Sequence, residues 1–404
     1  MSFEMPNIRH LRAFLEVARH KSISQASERV FLSQPAITQA IAKLEGLLGT
    51  SLFVRRSDGM FTTPSGEIFA LRIERAINLL EMGVKEVLRT SSVKTSAAQL
   101  LAQLTTTQLR ALVAVSNARN FSIAGRNLGV SQSSLHRAAR ELEGLVEVVL
   151  FEKTSTGISL SKAALHLSRA CKLAFAEVAQ GKDEIDSLHN RASGQIVVGS
   201  MPLARTSLLP DAIIAFSSDH PAFHIKVTDG PYDDLLHYLR HGDIDVIIGA
   251  LRYPPPANDV EQTALFSSQV HVVARPDHPL FSLEKVTLKD LAQYGWVVPR
   301  VGTPTRTIFE SAFTEAGMKV PEFLVETSSQ ILIRSLLLGS DRLTMISAHQ
   351  IQHELEMGVL STLPYELENA HRFIGMTVRS SWKPTDSQRL FLETLHKGGP
   401  ENAL

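Results

Sequence analysis

A single cysteine, Cys171, leaves no internal disulfide framework to hold this chain together, and suits a reducing compartment. No stretch approaches the roughly 18 consecutive apolar residues that a membrane-spanning helix needs. The first residues, Met1–Phe14, lack the charged-then-apolar layout of a secretory leader. Net charge is also missing: 41 Lys and Arg offset 41 Asp and Glu, which argues against a nonspecific polyanion binder. Together these absences predict a soluble cytoplasmic protein with no membrane partner.

What is present is ordinary globular material, 44% hydrophobic and 20% charged, over 404 residues that suggest two to four domains. The charge is unevenly spread. Residues 1–66 carry eight Lys or Arg against five Asp or Glu, and residues 106–163 carry seven against four. Both excesses lie in the N-terminal half, as a phosphate-facing head would require.

That half contains a repeat. Shifted by 98 residues, Leu11–Gly59 aligns with Leu109–Gly157 without a gap, and 17 of the 49 positions are identical. Leu44-Glu45-Gly46-Leu47 recurs as Leu142-Glu143-Gly144-Leu145, and Leu52-Phe53 as Leu150-Phe151. Each copy reads as three helices and a hairpin. Leu11, Phe14, Leu15 and Ala18 follow the spacing of one buried helical face. Ser24 is the expected cap of a second helix, and Ser33 of a third that has Pro35 in its first turn. On the third helix Ile37, Ile41 and Leu44 face inward, leaving Gln34, Thr38, Gln39 and Lys43 outward. Asp58-Gly59, set between two short strand patterns, predicts a wing.

An outward face of Gln, Thr and Lys suits DNA: Gln bonds adenine bidentately, Thr reaches phosphate or a thymine methyl, and Arg takes guanine or phosphate. The same three-helix scaffold also serves as a protein–protein module, and the residues alone leave both readings open.

The order Phe14-x-x-Val17-Ala18, Ser22-Ile23-Ser24-x-Ala26-Ser27, Leu32-Ser33-Gln34-Pro35-Ala36-Ile37-Thr38-Gln39-x-Ile41, Leu44-Glu45, Leu48-Gly49, Leu52-Phe53, Arg55 and Thr62-Thr63-Pro64-Ser65-Gly66 resembles the winged-helix signature of LysR-type transcriptional regulators. The resemblance implies that the third helix enters the major groove and the wing contacts the backbone or minor groove. Carried over, Ser33, Gln34, Pro35, Thr38, Gln39, Arg55 and Arg56 are the DNA contacts, with Gln39 departing from the arginine often found there. In the second copy the corresponding candidates are Ser131, Gln132, His136 and Arg137. There Ser133 replaces Pro35 and Thr154 replaces Arg56, while Arg140 is a further new cation. A second copy is unusual for this family.

Each wing is followed by a heptad seam: Phe69, Ile73, Ala76, Leu80, Gly83 and Val87, then Leu167, Cys171, Ala174, Val178, Gly181 and Ile185. Cys171 on that seam reads as a small core residue. The resemblance implies linker helices that pair between chains. Here a connector of about fifteen residues, able to span about 50 Å, also allows the two seams to pair within one chain. The unlike reading faces would then favour an asymmetric operator.

From Gln195 strand patterns alternate with helices: Ile196–Gly199, His224–Thr228, Val246–Gly249, Val270–Ala274, Trp296–Val298, Leu324–Glu326, Leu343–Ile346 and Phe373–Val378. This predicts an α/β domain with largely parallel sheets. The region resembles the LysR-type effector domain, which implies a periplasmic-binding-protein-like fold of two subdomains with a cleft at the strand ends. Ser200, Met201, Ala250, Thr303, Thr305, Ser328 and Ser329 stand at such ends and are the candidate effector contacts, although hydroxyls there also serve as plain helix caps.

The predicted organisation is a multidomain chain: an all-α-rich winged helix-turn-helix at 1–66, a linker helix at 67–92, a second winged helix-turn-helix at 106–163, a second linker at 164–190, and an effector domain at 194–395. Subdomain I is expected at about 194–260 and 376–395, and subdomain II at about 261–375. The expected activity is effector-modulated DNA binding, the effector being a sugar or an aromatic or organic acid, with no cofactor and no catalysis. Further expected partners are other copies of the chain, joined through effector domains and linker helices, and RNA polymerase if the protein activates. His349 and His353, spaced as if on one helix face, suggest a zinc site only superficially, since the adjacent Glu354 is misplaced for HExxH and no third ligand is evident. An uptake binding protein and a ligand-indifferent architectural DNA binder are the other readings weighed.

Overall fold

The structure is a computed structural model that describes residues 5–155, 157–189, 191 and 194–398. Near Gly194 the chain divides into two compact units. Residues 1–4 of the first expected domain, and Asn190, Ala192 and Ser193 of the expected break, lie outside the described residues.

The first unit contains both modules. Module one comprises α1 (Ile8–His20), α2 (Ile23–Val30), α3 (Gln34–Leu48) and a hairpin of β1 (Phe53–Arg56) and β2 (Gly59–Thr62), and runs into the long α4 (Pro64–Leu88). Ser33 caps α3, its hydroxyl accepting from Ala36 N, and Pro35 sits in the first turn. The cap of α2 is Ser22 rather than Ser24. Ser22 holds extended backbone and its hydroxyl accepts from Gln25 N, so the helix has already begun when Ser24 is reached. Phe14 packs against Phe53 and Phe69, tying helix, wing and linker into one core.

After α4 the polar connector leads to a short helix, α5 (Ala97–Gln103), which the polar composition upstream gave no reason to expect. A reciprocal Ser96–Gln99 capping box starts it, and Leu100, Leu101 and Leu104 are buried. Module two follows as α6 (Thr106–Ala118), α7 (Phe121–Leu128), α8 (Gln132–Val146), β3 (Phe151–Thr154), β4 (Gly157–Leu160) and the long α9 (Lys162–Leu188). The modules also touch where each begins: Thr106 Oγ1 donates to Pro6 O and accepts from Ile8 N.

The two linker helices pack against each other within the chain. All twelve seam residues are buried. The crossing is antiparallel. A Cβ on Gly83 would fall 2.4 Å from Ala170 Cβ, and one on Gly181 would fall 3.1 Å from Arg72 Cβ. Position 170 is the 98-residue counterpart of 72, and 181 that of 83, so the two crossings are pseudo-twofold equivalents.

The second unit is one sheet in two lobes. Its strands are β5 (Gln195–Ser200), β6 (His224–Asp229), β7 (Val246–Ala250), β8 (Val260–Ala274), β9 (Trp296–Val298), β10 (Leu324–Glu326), β11 (Leu343–Ser347), β12 (Ser361–Thr362) and β13 (His371–Arg379). Between and after them lie α10 (Leu208–Asp219), α11 (Tyr232–His241), α12 (Leu288–Leu291), α13 (Pro304–Glu315), α14 (Gln330–Leu338), α15 (Gln352–Glu356) and α16 (Asp386–Lys397). The order is β10-β9-β11-β8-β13-β7-β5-β6, with β12 beside β8. Each lobe has a parallel trio, but β8 and β13 run antiparallel to each other and to their neighbours. The expectation of largely parallel sheets therefore needs correction. The chain crosses between lobes twice, out along β8 and back along β13, and adjacent crossings in opposite senses must be antiparallel. Leu265, Phe266 and Ile374 pack with Ile196, Val198 and Ile248, so the first lobe's core reaches beyond position 260. The second lobe buries Trp296 against Phe309 and Phe313. No helix among the described residues is long and apolar enough to cross a membrane.

Candidate DNA interface and effector cleft

On module one, Ser33, Gln34, Pro35, Thr38, Gln39, Arg55 and Arg56 are all exposed. The fold brings Gln34, Pro35 and Thr38 of α3 together with Arg55 and Arg56 of β1, and with Lys21, around one open groove. Arg56 and Lys21 both lie over the Phe61 ring, at 4.9 and 5.0 Å, which holds two cations beside the turn of the wing. Thr38 Oγ1 donates to Gln34 O, so it meets the groove chiefly as an acceptor.

Module two is less open. Gln132 accepts from Ser122 Oγ at 2.6 Å, and the His136 ring stacks on Phe121 with centroids 3.8 Å apart. Ser131 caps α8. Arg137 is exposed, with Glu141 3.9 Å away, and Arg140 is tied to Glu143. Of the residues expected to read DNA here, Arg137 is freest to do so, whereas Gln132 and His136 are occupied within the module.

In the second unit a cleft, partly open to solvent, lies among strand ends and helix starts. Met201, Ala250, Thr303, Thr305 and Ser328 line it as expected. Ser200 does not: it is wholly buried, its hydroxyl directed at Met201 O. Ser329 is not on the lining either and caps α14, accepting from Leu332 N. Thr303 both caps α13, accepting from Arg306 N, and lines the cleft, so capping and lining are not alternatives there. The starts of α13 and α14 both approach the cavity, bringing the positive ends of two helix dipoles toward it.

Sequence reasoning missed the two strongest groups in the cleft, Arg252 and Arg372. Among the described residues neither has a carboxylate within ion-pair distance. Arg372 donates to Thr305 Oγ1 at 2.5 Å and to Gln350 Oε1 at 3.3 Å, while its Nε makes no hydrogen bond to protein. Arg252 lies with its guanidinium 4.5 Å over the Tyr232 ring, and its buried Nη1 also lacks a protein partner. Burial, and then the like charge of Arg252, bring the Arg372 guanidinium well below the usual arginine range, to about 10. Burial lowers Arg252 as well. Arg252 follows the strand end at Ala250 and could have been found there. Arg372 lies one residue before the expected strand Phe373–Val378 and inside the observed β13, where a charge gives no signal of its own.

His349 and His353 do not share a helix. His349 is in a 3-10 turn, Ala348–Gln350, with Nδ1 3.1 Å from Ser268 Oγ, and Ile351 separates it from α15, which holds His353. Among the described residues no His, Cys, Asp and Glu gather as a metal would require.

The profile of the bacterial regulatory helix-turn-helix protein, lysR family, matches residues 8–67 and again 106–165, and that of the LysR substrate binding domain matches residues 189–399. The chain belongs to the LysR family. It is a transcriptional regulator rather than an enzyme, with DNA-binding modules and an effector-binding domain. It is 34% identical to the HTH-type transcriptional regulator GalR of Pseudomonas putida over 93% of each chain. It is 26% identical to PcaQ of Agrobacterium fabrum over 72% of this chain and 94% of PcaQ. The PcaQ alignment leaves over a part of this LysR regulator about the size of one repeat, whereas the GalR alignment has room for both. Among solved structures, a full-length OxyR variant from Pseudomonas aeruginosa aligns with a TM-score of 0.53 at 20% identity, over 72% of this chain and 93% of that one. Full-length CbnR complexed with its target DNA aligns at 0.51 and 18%, over 72% and 98%. These two share the fold.

Proposed function

We propose that this LysR regulator senses a small carboxylate, and that occupancy of the cleft at Arg252 and Arg372 alters its hold on an operator. The observation that carries the reading is the pair of half-buried guanidiniums on one cleft, each with a buried nitrogen lacking a protein partner and with no carboxylate at ion-pair distance among the described residues. A cation taken out of water is costly unless an anion neutralises it, so the cleft is prepared for a ligand that brings negative charge. The two helix starts add to the same preference. Of the effector classes the sequence suggested, an aromatic or organic acid fits this cleft and a neutral sugar does not. Thr303, Thr305 and Ser328 then supply hydroxyls to orient it. On the DNA side, Gln34 and Thr38 read bases while Arg55 and Arg56 hold phosphate. The protein works in the cytoplasm, assembles further through its effector domains, and meets RNA polymerase where it activates.

Calorimetry on the full chain with aliphatic and aromatic carboxylates, set beside neutral sugars, tests this. Carboxylates bind, and Arg372→Met weakens them by about 1.5–3 kcal/mol, the worth of a hydrogen bond to a charged group. A bound anion favours the charged guanidinium, so affinity holds from neutral pH upward and falls as pH rises through about 10. A neutral sugar that binds wild type and Arg372→Met equally well would show the effector class to be wrong.

A further inference from the structure

We infer that one chain forms a complete two-headed DNA reader, and that its operator is duplex DNA with two unlike half-sites. This rests on α3 and α8 being the reading helices. The inference comes from the polar contacts between the linker helices. Arg72 of α4 is 4% exposed, and α9 surrounds it. It donates to Glu177 at 2.9 Å, to Gln180 at 2.9 Å, and to Glu184 at 2.5 and 3.0 Å. Arg75 adds two bonds to Glu177, itself only 6% exposed.

None of these groups except Glu184 has a like counterpart in the other helix. The 98-residue equivalents of Arg72 and Arg75 are Ala170 and Leu173; those of Glu177, Gln180 and Glu184 are Leu79, Met82 and Glu86. Two α4 helices from different chains, crossing in the same way, would therefore bury Arg72 twice among Leu79 and Met82, with Glu86 the one acid in reach. Two α9 helices would bury Glu177 twice against Ala170, with no cation to meet it. Either like pair leaves buried charge uncompensated, which is costly. The unlike pair satisfies every one of these groups. Its opposite crossing, Gly83 against Ala170, is correspondingly apolar.

An unlike pair can form within a chain or by exchange between two. The ordered connector favours the first: α5 packs on α4 and α8, Ser91 Oγ donates to Val146 O, and Thr106 joins the start of module one. A short tether also keeps the second helix at millimolar effective concentration near the first. A symmetric pair of modules matches a palindrome. This pair presents Gln34, Thr38 and Gln39 on one side and Arg137, beside Gln132 and His136 that are engaged within the module, on the other, so the halves it selects differ.

Selection of bound sequences from random duplex DNA by the full chain gives the first measurement. The expected result is a motif of two dissimilar halves; a palindrome, or a single half-site, overturns the inference. For the second, Gln34→Ala/Arg55→Ala disables module one, and Arg137→Ala/Lys153→Ala, where Lys153 of β3 is the 98-residue equivalent of Arg55, disables module two, each exposed and outside the core. Each lowers affinity for the selected motif by at least about tenfold, and each makes base changes in one half silent. Co-expressed, the two variants give heads that all carry one disabled module, and tight binding does not return. Its return would show that heads assemble by exchange between chains and would refute the proposal. Undiminished affinity in both variants would remove the assignment of α3 and α8, and the inference with it.

Discussion

In both modules the glutamate near the end of the reading helix accepts the two backbone N–H groups that open the wing: Glu45 from Leu52 and Phe53, and Glu143 from Leu150 and Phe151. In both, the wing returns through a positive-φ glycine whose Cβ would collide with a carbonyl of the first turn, Gly59 with Lys21 O and Gly157 with Arg119 O. The next residue then donates to that same carbonyl. The reading faces, by contrast, have parted. Pro35 has become Ser133, Thr38 His136, Gln39 Arg137, and Arg56 Thr154. The scaffold is kept while the face has changed, so the two modules differ in what they present to a partner and not in how they fold.

The sharpest way to break the comparison is at Arg72, which module two does not repeat. Arg72→Met strands Glu184, and leaves Glu177 with only the half-buried Arg75, at a cost of about 3 kcal/mol. A urea midpoint read by far-UV circular dichroism measures this. Arg75→Met, at the solvent edge, costs about 1 kcal/mol or less because Glu177 keeps Arg72. Equal losses would show that Arg72 is not the centre of the network. Arg72→Met combined with Glu177→Leu should recover most of the stability while removing the preference for unlike pairing.

A milder contrast separates the reading helices. Gln34 extends freely into the groove, so Gln34→Ala costs about 1–3 kcal/mol and relaxes the base preference at one position. Gln132 is already engaged by Ser122, so Gln132→Ala costs less than about 1 kcal/mol in DNA affinity. Arg55→Ala weakens all sequences alike and reduces the salt slope by about one. Fluorescence anisotropy against salt concentration reads all three, and a larger loss at Gln132 than at Gln34 would reverse the ranking of the modules.

Much of this was legible in the residues. The seams Phe69–Val87 and Leu167–Ile185 repeat every seven residues, and periodicity reports a buried face directly. Strand ends such as Ala250 and Thr303 carried the cleft because a strand pattern followed by a helix start is a local signal. Arg372 was not legible: whether a charge inside a strand faces water or a cavity depends on which strands lie beside it. Strand β8 was half missed for a similar reason. Its first part, Val260–Gln269, carries Glu261, Gln262, Thr263, Ser267, Ser268 and Gln269, and only the pairing with β13 makes that polar run a strand. The Arg72 network was hidden because its partners lie 105 to 112 positions away.

The smallest expected effect tests the pseudo-twofold crossing itself. Gly83 and Gly181 are equivalent by the repeat, and an alanine at either gains about 0.5–1 kcal/mol of helix propensity. What the new methyl meets differs. At Gly83 it falls 2.4 Å from Ala170 Cβ, an atom fixed to the backbone, so the helices themselves must separate. At Gly181 it falls 3.1–3.3 Å from Cβ and Cγ of Arg72 and Cδ2 of Phe69, a milder approach that a shift of a few tenths of an ångström relieves. Overpacking against a rigid partner costs about 1–3 kcal/mol. Gly83→Ala should therefore lose about 1 kcal/mol net, while Gly181→Ala should come out near neutral. Thermal melts of the two full-length variants decide the matter. Equal losses would mean that both crossings are equally rigid, and that Arg72 is held too firmly by its carboxylates to yield.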